Sequence, residues 1–429
     1  MGNAAERGVA EGLWEKLRLD PRTLIGESAE DAGVRKTLED VARRGDEALV
    51  ESARRFDDPD FSASQIRVTA EEMRQAAGRL SGELKAALRR SIDQVREYQQ
   101  KVMPKGEPSF RRDGVELGMR FTPLDSAGLY FPGGKASYPS TLIMLAVPAQ
   151  VAGVTRIVVC SPAGKFGRND LVLAACAELG LTEVFRAGGA AAIGAMAFGT
   201  ATIPAVDKIG GPGNRYVQLA KRALAGGVGI DGFLGPSEIV VIADETGDAV
   251  SIAADLIAQA EHDPGSCFLV TTSEALAQRV VGEIERQKKT LNRVEAIDRA
   301  MERDSAVLVA GSMEEAIKWG NKFAAEHVNI QTKDDDAVLA KLRHAGAVFL
   351  GRHSPVAAGD YVAGPSHCLP TNTTARFTSG ISVYEFMKRS SVERYTAEGL
   401  AKDADAIVAL AEAEGLDAHA ASVRVRAAD

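Results

Sequence analysis

The chain has little cysteine, no excess of positive charge and no long apolar run. Its four cysteines (Cys160, Cys176, Cys267 and Cys368) show no C-x-x-C spacing. That excludes a zinc knuckle and a disulfide frame and leaves reduced thiols. A formal net charge of −8 argues against nucleic acid or an anionic membrane as partner. No stretch approaches the length of a membrane span. The first residues, MGNAAERGVAEGLWEKLRLD, carry charge and no apolar signal core, and Glu6 breaks the myristoylation pattern at Gly2. The expectation is therefore a cytoplasmic protein. Low-complexity segments and short-period repeats are also missing. What remains is an ordinary globular composition, 45% hydrophobic and 26% charged over 429 residues, enough for two or three domains with real cores.

The first hundred residues read as helices, with three- and four-residue apolar spacing over 29–44, 70–79 and 83–102. From Leu117 the pattern changes. LGMRFTPLDSAGLYFPGG predicts a strand, a turn and a second strand ending in a glycine loop. After it, short strands (156–162, 183–189) alternate with helices (140–152, 170–179, 190–198, 215–225). A second block of the same kind starts at EIVVIADE (238–245). It continues through strands at 267–273 and 306–312, helices at 250–261, 274–287 and 313–323, and further strands in HVNIQT and GAVFLG. Such alternation predicts an α/β fold of two Rossmann-like, doubly wound units with a helical N-terminal region. The end, from SVYEFMKRSSVERYTAEGL onward, reads as a helical, amphipathic C-terminal tail.

Several segments carry candidate chemistry. Gln259 and His262 are three apart near the end of a helical run, so they share one face. His262 alone also suits a helix C-terminus, where a cation complements the dipole. Glu326-His327 is an adjacent acid and base, either a proton-transfer pair or a surface Glu beside a half-buried His. Asp360 follows a glycine and reads as a ligand or a turn residue. His419 lies near the end of the chain. Four of the six histidines (His262, His327, His367 and His419) fall in these segments, and as a set they suit a metal with mixed nitrogen and oxygen donors. Gly211-Pro-Gly213-Asn214 opens a helix and could cradle a phosphate or form a plain turn. Tyr130-Phe-Pro-Gly133-Gly134 is a second loop of that sort. Gly227-Val-Gly229-Ile-Asp-Gly232 matches G-x-G-x-x-G, but a helix precedes it and a strand follows, so it reads as a link between units. Cys267 and Cys368 read as inert core residues.

In this order, GLYFPGGKASYPST (128–141), VDKIGGPGN (206–214), GPSEIVVIADE (235–245), QAEHDPGS (259–266), Glu326-His327, GDYVAGPSHCLPT (359–371), ARFTSGISVYEFMKRSSV (375–392) and EAEGLDAH (412–419) resemble the histidinol dehydrogenase family. The likeness runs from about Val41 to Arg426. It implies oxidation of an amino alcohol through the aldehyde to the acid, four electrons to two NAD, with Zn2+. The zinc ligands would be Gln259, His262, Asp360 and His419. These residues, with Ser237, His327, His367 and Glu414, would form the substrate site. NAD would be met at Tyr130, Asn214 and the segment of Ala191, and Glu326 and His327 would move protons. The resemblance also implies a homodimer in which Glu414 and His419 act in trans. The domains expected are 1–125 plus 238–380, carrying metal and acid/base residues; an inserted 126–237 binding the dinucleotide; and a dimer-swapped tail, 381–429.

Departures exist. Ala191 stands where the family has Gln, Ser366 where it has Asn, Ala325 where it has Pro, and Gly232-Phe-Leu replaces a Met-Ile-Ala-like run. The pattern would also fit a paralogue acting on another alcohol, as sulfopropanediol dehydrogenases do. A ligand-binding protein without chemistry and a metal hydrolase are readings from other classes. The retained acid/base and donor set argues against the first and the glycine loops against the second.

Overall fold

A computed structural model describes residues 4–18, 28–105, 110–133, 138–164, 169–232, 235–262 and 265–427. The Asp263-Pro264 step, Gly134 and the Phe233-Leu234 link lie outside the described residues. The strands are β1 (Phe110–Arg112), β2 (Val115–Pro123), β3 (Ser126–Tyr130), β4 (Arg156–Ser161), β5 (Glu183–Arg186), β6 (Lys208–Gly210), β7 (Gly229–Ile230), β8 (Ser237–Ala243), β9 (Gly265–Thr271), β10 (Ala306–Val309), β11 (His327–Gln331), β12 (Ala347–Leu350) and β13 (Met387–Tyr395).

Two five-stranded parallel sheets result, in the orders β5-β4-β3-β6-β7 and β10-β9-β8-β11-β12. The winding is the same in both: the first strand is central, two strands are added on one side, and the chain then crosses to the other. Strands β8, β9 and β11 are buried almost throughout, as parallel strands covered on both faces are. Their continuous Val/Ile/Leu runs follow from that. The helices Ala29–Arg44 and Asp46–Phe56 lie on the helix Gly189–Phe198, Ala70–Arg79 on Asp170–Glu178, and Gly82–Val102 on Pro139–Ala152. All of them therefore cover the first sheet's helices. The N-terminal helix Ala4–Leu17 instead meets β10, and Trp14 donates its indole N–H to the backbone oxygen of Lys322. Local signals fix the helix starts. Ser28 with Asp31 and Thr69 with Glu72 form reciprocal capping boxes.

Two expectations need correction. The run from Ser382 to Tyr395 is not helical: a 3-10 turn (Val383–Phe386) leads into β13, which pairs antiparallel with β2 from Met387↔Pro123 to Tyr395↔Val115. Its Lys, Arg and Glu residues favour a helix locally, and the distant partner strand overrides that preference. The helical tail begins only at Ala397, capped by Thr396. The segment 227–232 is more than a link, because it contains β7, the edge strand of the first sheet.

Candidate active site

Glu326 and His327 sit where β11 begins, 6% and 4% exposed. Glu326 Oε2 accepts the N–H of Glu238 at 3.1 Å and a hydrogen bond from the Ser237 side chain. His327 Nδ1 lies 3.0 Å from Gln259 Oε1 and 3.7 Å from Glu326 Oε2. An amide oxygen only accepts, so Nδ1 carries the proton and Nε2 is the nitrogen able to take one. Burial lowers the imidazole's pKa to about 4, with Asp360 pulling it up and His262 and His367 pushing it down. The ring is neutral at physiological pH.

Burial drives the Glu326 carboxyl well above the carboxylate range, and the neighbouring charges of Glu238 and Asp360 add to this. Glu238, 2% exposed, is pushed up to about 8 by burial, although Asn372 donates its N–H to it at 2.7 Å. Two buried carboxyls thus adjoin, and among the described residues neither has a cationic partner.

The helix Ala249–Ala260, capped by Asp248, delivers Gln259 and His262 at its C-terminal end. β9 starts beside it: a Cβ on Gly265 would fall 2.1 Å from the Gln259 backbone oxygen, so the close approach requires glycine. Gln259 is 2% exposed, and among the described residues its Nε2 has no hydrogen-bond partner. A buried amide left incomplete costs about 1–3 kcal/mol. Its oxygen keeps a second lone pair beyond the bond to His327, which fits a residue that completes its contacts with a group bound in the site.

Asp360, in the short helix Val356–Tyr361, accepts His367 Nδ1–H on its backbone oxygen at 2.8 Å. Thr141 Oγ1 lies 3.1 Å from His367 Nε2, so both ring nitrogens of His367 are engaged. Thr141 belongs to the helix that follows β3, and the contact ties the two sheets together. A cavity of about 550 Å³ opens alongside, lined by His262, Tyr138, Ser140, Leu84, Tyr361 and Arg293 among others.

Gln259, His262 and Asp360, a neutral amide, an imidazole and a carboxylate, are a donor set suited to a borderline divalent cation. His419 and Glu414 are not brought to them. Both are exposed on the tail hairpin of Ala397–Ala413 and Asp417–Ala427. Among the described residues no cluster of three or more His, Cys, Asp or Glu side chains is arranged to hold a metal. Of the four donors the resemblance implies, His419 lies apart from Gln259, His262 and Asp360.

The residues expected at the dinucleotide lie at the carboxyl edge of the first sheet. Tyr130 ends β3, and burial pushes its phenol up to about 12 while its oxygen accepts the Gly189 N–H at 3.2 Å. Asn214 Oδ1 accepts the N–H groups of Tyr216 and Val217, so this side chain caps the helix Arg215–Leu224. Ala191 is 2% exposed within an apolar cluster.

A feature invisible in the sequence holds this loop. Lys221 and Asp231, both fully buried, pair at 2.5 Å. Lys221 Nζ also donates to the Gly211 backbone oxygen at 2.5 Å, and Asp231 Oδ2 accepts the Gly211 N–H at 2.6 Å. Gly211 has φ +124°, and a Cβ there would lie 1.8 Å from the Tyr130 backbone oxygen. Thr141, Glu238, Lys221 and Asp231 carry no local signature: each matters through a contact made across the fold.

The placement of the edges is informative. The acid/base pair and the donors gather at the amino ends of β8, β9 and β11, whereas the glycine loops occupy the carboxyl ends of β3 and β6, the usual ligand edge of such a sheet. Glycine loops at the ligand edge of one parallel sheet, beside a buried Glu–His pair on another, fit a two-sheet α/β dehydrogenase.

Comparison with known proteins makes this specific. A family model described as histidinol dehydrogenase matches residues 22–427. The histidinol dehydrogenase of Geobacillus kaustophilus is 48% identical over 391 residues, 91% of this chain and 92% of that one. That of a Synechococcus species is 47% identical over 398 residues, 92% of each chain. The crystal structure of histidinol dehydrogenase from Elizabethkingia anophelis superposes with a TM-score of 0.90 at 35% identity, covering 97% of this chain and 95% of that one. The chain belongs to the histidinol dehydrogenase family.

Proposed function

We propose that this protein oxidises L-histidinol through the aldehyde to L-histidine, the last step of histidine biosynthesis, with two NAD and one Zn2+. The observation that carries the reading is the buried Glu326–His327 pair set against Gln259, on a chain whose relatives at 47–48% identity bear that name. Those names also weigh against another alcohol as substrate.

Overall, the alcohol loses two hydrides, gains one water oxygen and releases three protons. Gln259, His262 and Asp360 would hold the metal, with His419 of the partner subunit as fourth donor. When bound, Zn2+ supplies positive charge that holds and polarises the substrate, and NAD accepts the electrons. His327 is neutral across the physiological range, so its Nε2 takes the alcohol proton without first losing one of its own. The Gln259 contact at Nδ1 fixes the tautomer that leaves Nε2 open. In the second half-reaction Glu326 takes a proton from the water that adds to the aldehyde. Burial makes it a stronger base than an ordinary carboxylate once it is ionised.

Ser237 orients Glu326, and His367 forms the wall toward Thr141. The first sheet, 126–237, carries the dinucleotide at Tyr130 and Asn214, with Ala191 behind them in its core. The second sheet carries the proton chemistry within the proposed unit of 1–125 plus 238–380, whose helices over 29–102 nevertheless pack on the first sheet's helices. The tail, 381–429, brings Glu414 and His419 into the partner's site of a homodimer, which accounts for their exposure here. Among the described residues no helix is long and apolar enough to cross a membrane, and a cytoplasmic location is proposed with the pathway.

The test is NADH formation with L-histidinol at mildly alkaline pH, repeated after chelation and after zinc is restored. Two NADH per histidinol, lost and regained with the metal, is expected. A zinc-loaded protein that forms none overturns the reading. Metal content gives a second readout: Gln259→Ala and His262→Ala should each copurify with far less zinc than wild type.

A further inference from the structure

The first sheet has its switch point between β3 and β6, because the chain leaves β3 toward β4 and returns across it from β5 to β6. In sheets wound this way a dinucleotide lies across the carboxyl ends. Its pyrophosphate sits near the end of the first strand and its adenosine half over the next, where a carboxylate accepts the ribose hydroxyls. Here the next strand is β4. The described residues after it, Pro162-Ala-Gly164, offer no acid.

One acid does stand at that place. Asp57 closes the helix Asp46–Phe56, more than a hundred positions earlier in the chain. Its Oδ2 lies 3.4 Å from the Ala163 N–H, just past β4. A Cβ on Gly188, just past β5, would come within 3.2 Å of the same oxygen and 3.1 Å of Pro162. The carboxylate therefore sits over the ends of β4 and β5, and its charge reaches Tyr130 at the end of β3.

We infer that Asp57 receives the 2′- and 3′-hydroxyls of the adenosine ribose and so selects NAD over NADP. Among the described residues the long contact to Ala163 is the only hydrogen bond its side chain makes. Half-burial raises its carboxyl above the usual range, and Asp58 adds to this. Two hydroxyl donors would supply what the ionised form lacks. A 2′-phosphate would instead put a second negative charge against it and leave it without donors. The acid thus comes from the N-terminal helices, and those helices pack on the sheet that needs it.

This inference rests on the dinucleotide reading of the first sheet, and a binding experiment separates the two. NADH and NADPH are titrated by fluorescence against wild type, Asp57→Asn and Asp57→Ser, with unfolding midpoints measured for each. Asp57→Asn keeps the shape and guards against loss of fold. Wild type is expected to favour NADH. Both variants should narrow the NADH/NADPH preference by about tenfold, or roughly 1.4 kcal/mol, chiefly through tighter NADPH binding. Equal affinities in wild type, or a preference within threefold of wild type in both variants, overturn the inference. NADH binding without L-histidinol turnover would overturn the proposed substrate and leave Asp57 standing. No NADH binding at all would remove both.

Discussion

Lys221→Met isolates what a buried ion pair does for a catalytic loop. Lys221 and Asp231 are both fully buried and pair at 2.5 Å. Each holds one polar group of Gly211, the carbonyl oxygen and the N–H respectively. Removing the ammonium leaves Asp231 charged, buried and without its counter-ion, which costs about 3–5 kcal/mol. Adding Asp231→Asn removes the stranded charge. The Asn oxygen can still accept the Gly211 N–H, so the double variant leaves chiefly the Gly211 carbonyl without a donor, at about 1–3 kcal/mol. It should therefore be more stable than the single one. The assay is chemical denaturation of wild type, both single variants and the double variant, followed by NAD kinetics on those that fold. Because Gly211 packs on the Tyr130 carbonyl, a loosened loop should raise KM for NAD more than it lowers kcat. A Lys221→Met cost below about 1 kcal/mol, or a double variant no more stable than the single, would refute the argument.

Two further outcomes follow from the site. Glu326 must lose its proton to act, and its raised pKa, set by burial and by Glu238 and Asp360, places the acid limb of the pH–rate profile above the ordinary carboxylate range. Activity should rise with pH there, and Glu238→Gln should move the limb down; an unmoved limb would mean Glu238 does not act on Glu326. Mixing a Glu326→Ala chain with a His419→Ala chain should recover roughly a quarter of wild-type activity, since random pairing gives half heterodimers, each with one intact site. No recovery would count against a shared site.

The sequence disclosed whatever depends on neighbours along the chain. The alternation of apolar runs and capped helices showed two α/β units, and Gln259, His262 and Glu326-His327 stood out because their partners lie three residues away or next door. Contacts across the fold were not legible. Lys221 and Asp231 look like ordinary surface residues until Gly211 is placed between them, and Asp57 is unremarkable until β4 ends beside it. The strand β13 is hidden for the same reason: its helix-favouring residues are decided by β2, which lies far earlier in the sequence. His419 marks another limit: it is exposed on the tail, apart from Gln259, His262 and Asp360, and the second copy of the chain proposed to receive it is not written in one sequence.

The pairing of β13 with β2 bears on biogenesis. β2 is made long before β13, and β1 covers one of its edges. Its other edge, from Val115 to Pro123, must wait for Met387–Tyr395. During synthesis that edge presents unpaired backbone groups while more than two hundred and fifty residues are still to be added, a long exposure for an aggregation-prone surface. Arg120 and Glu116 lie on that edge, and such charges discourage stray pairing. The antiparallel sheet thus closes only once β13 has been made, and a chain interrupted before Met387 keeps the β1–β2 pairing without its third strand.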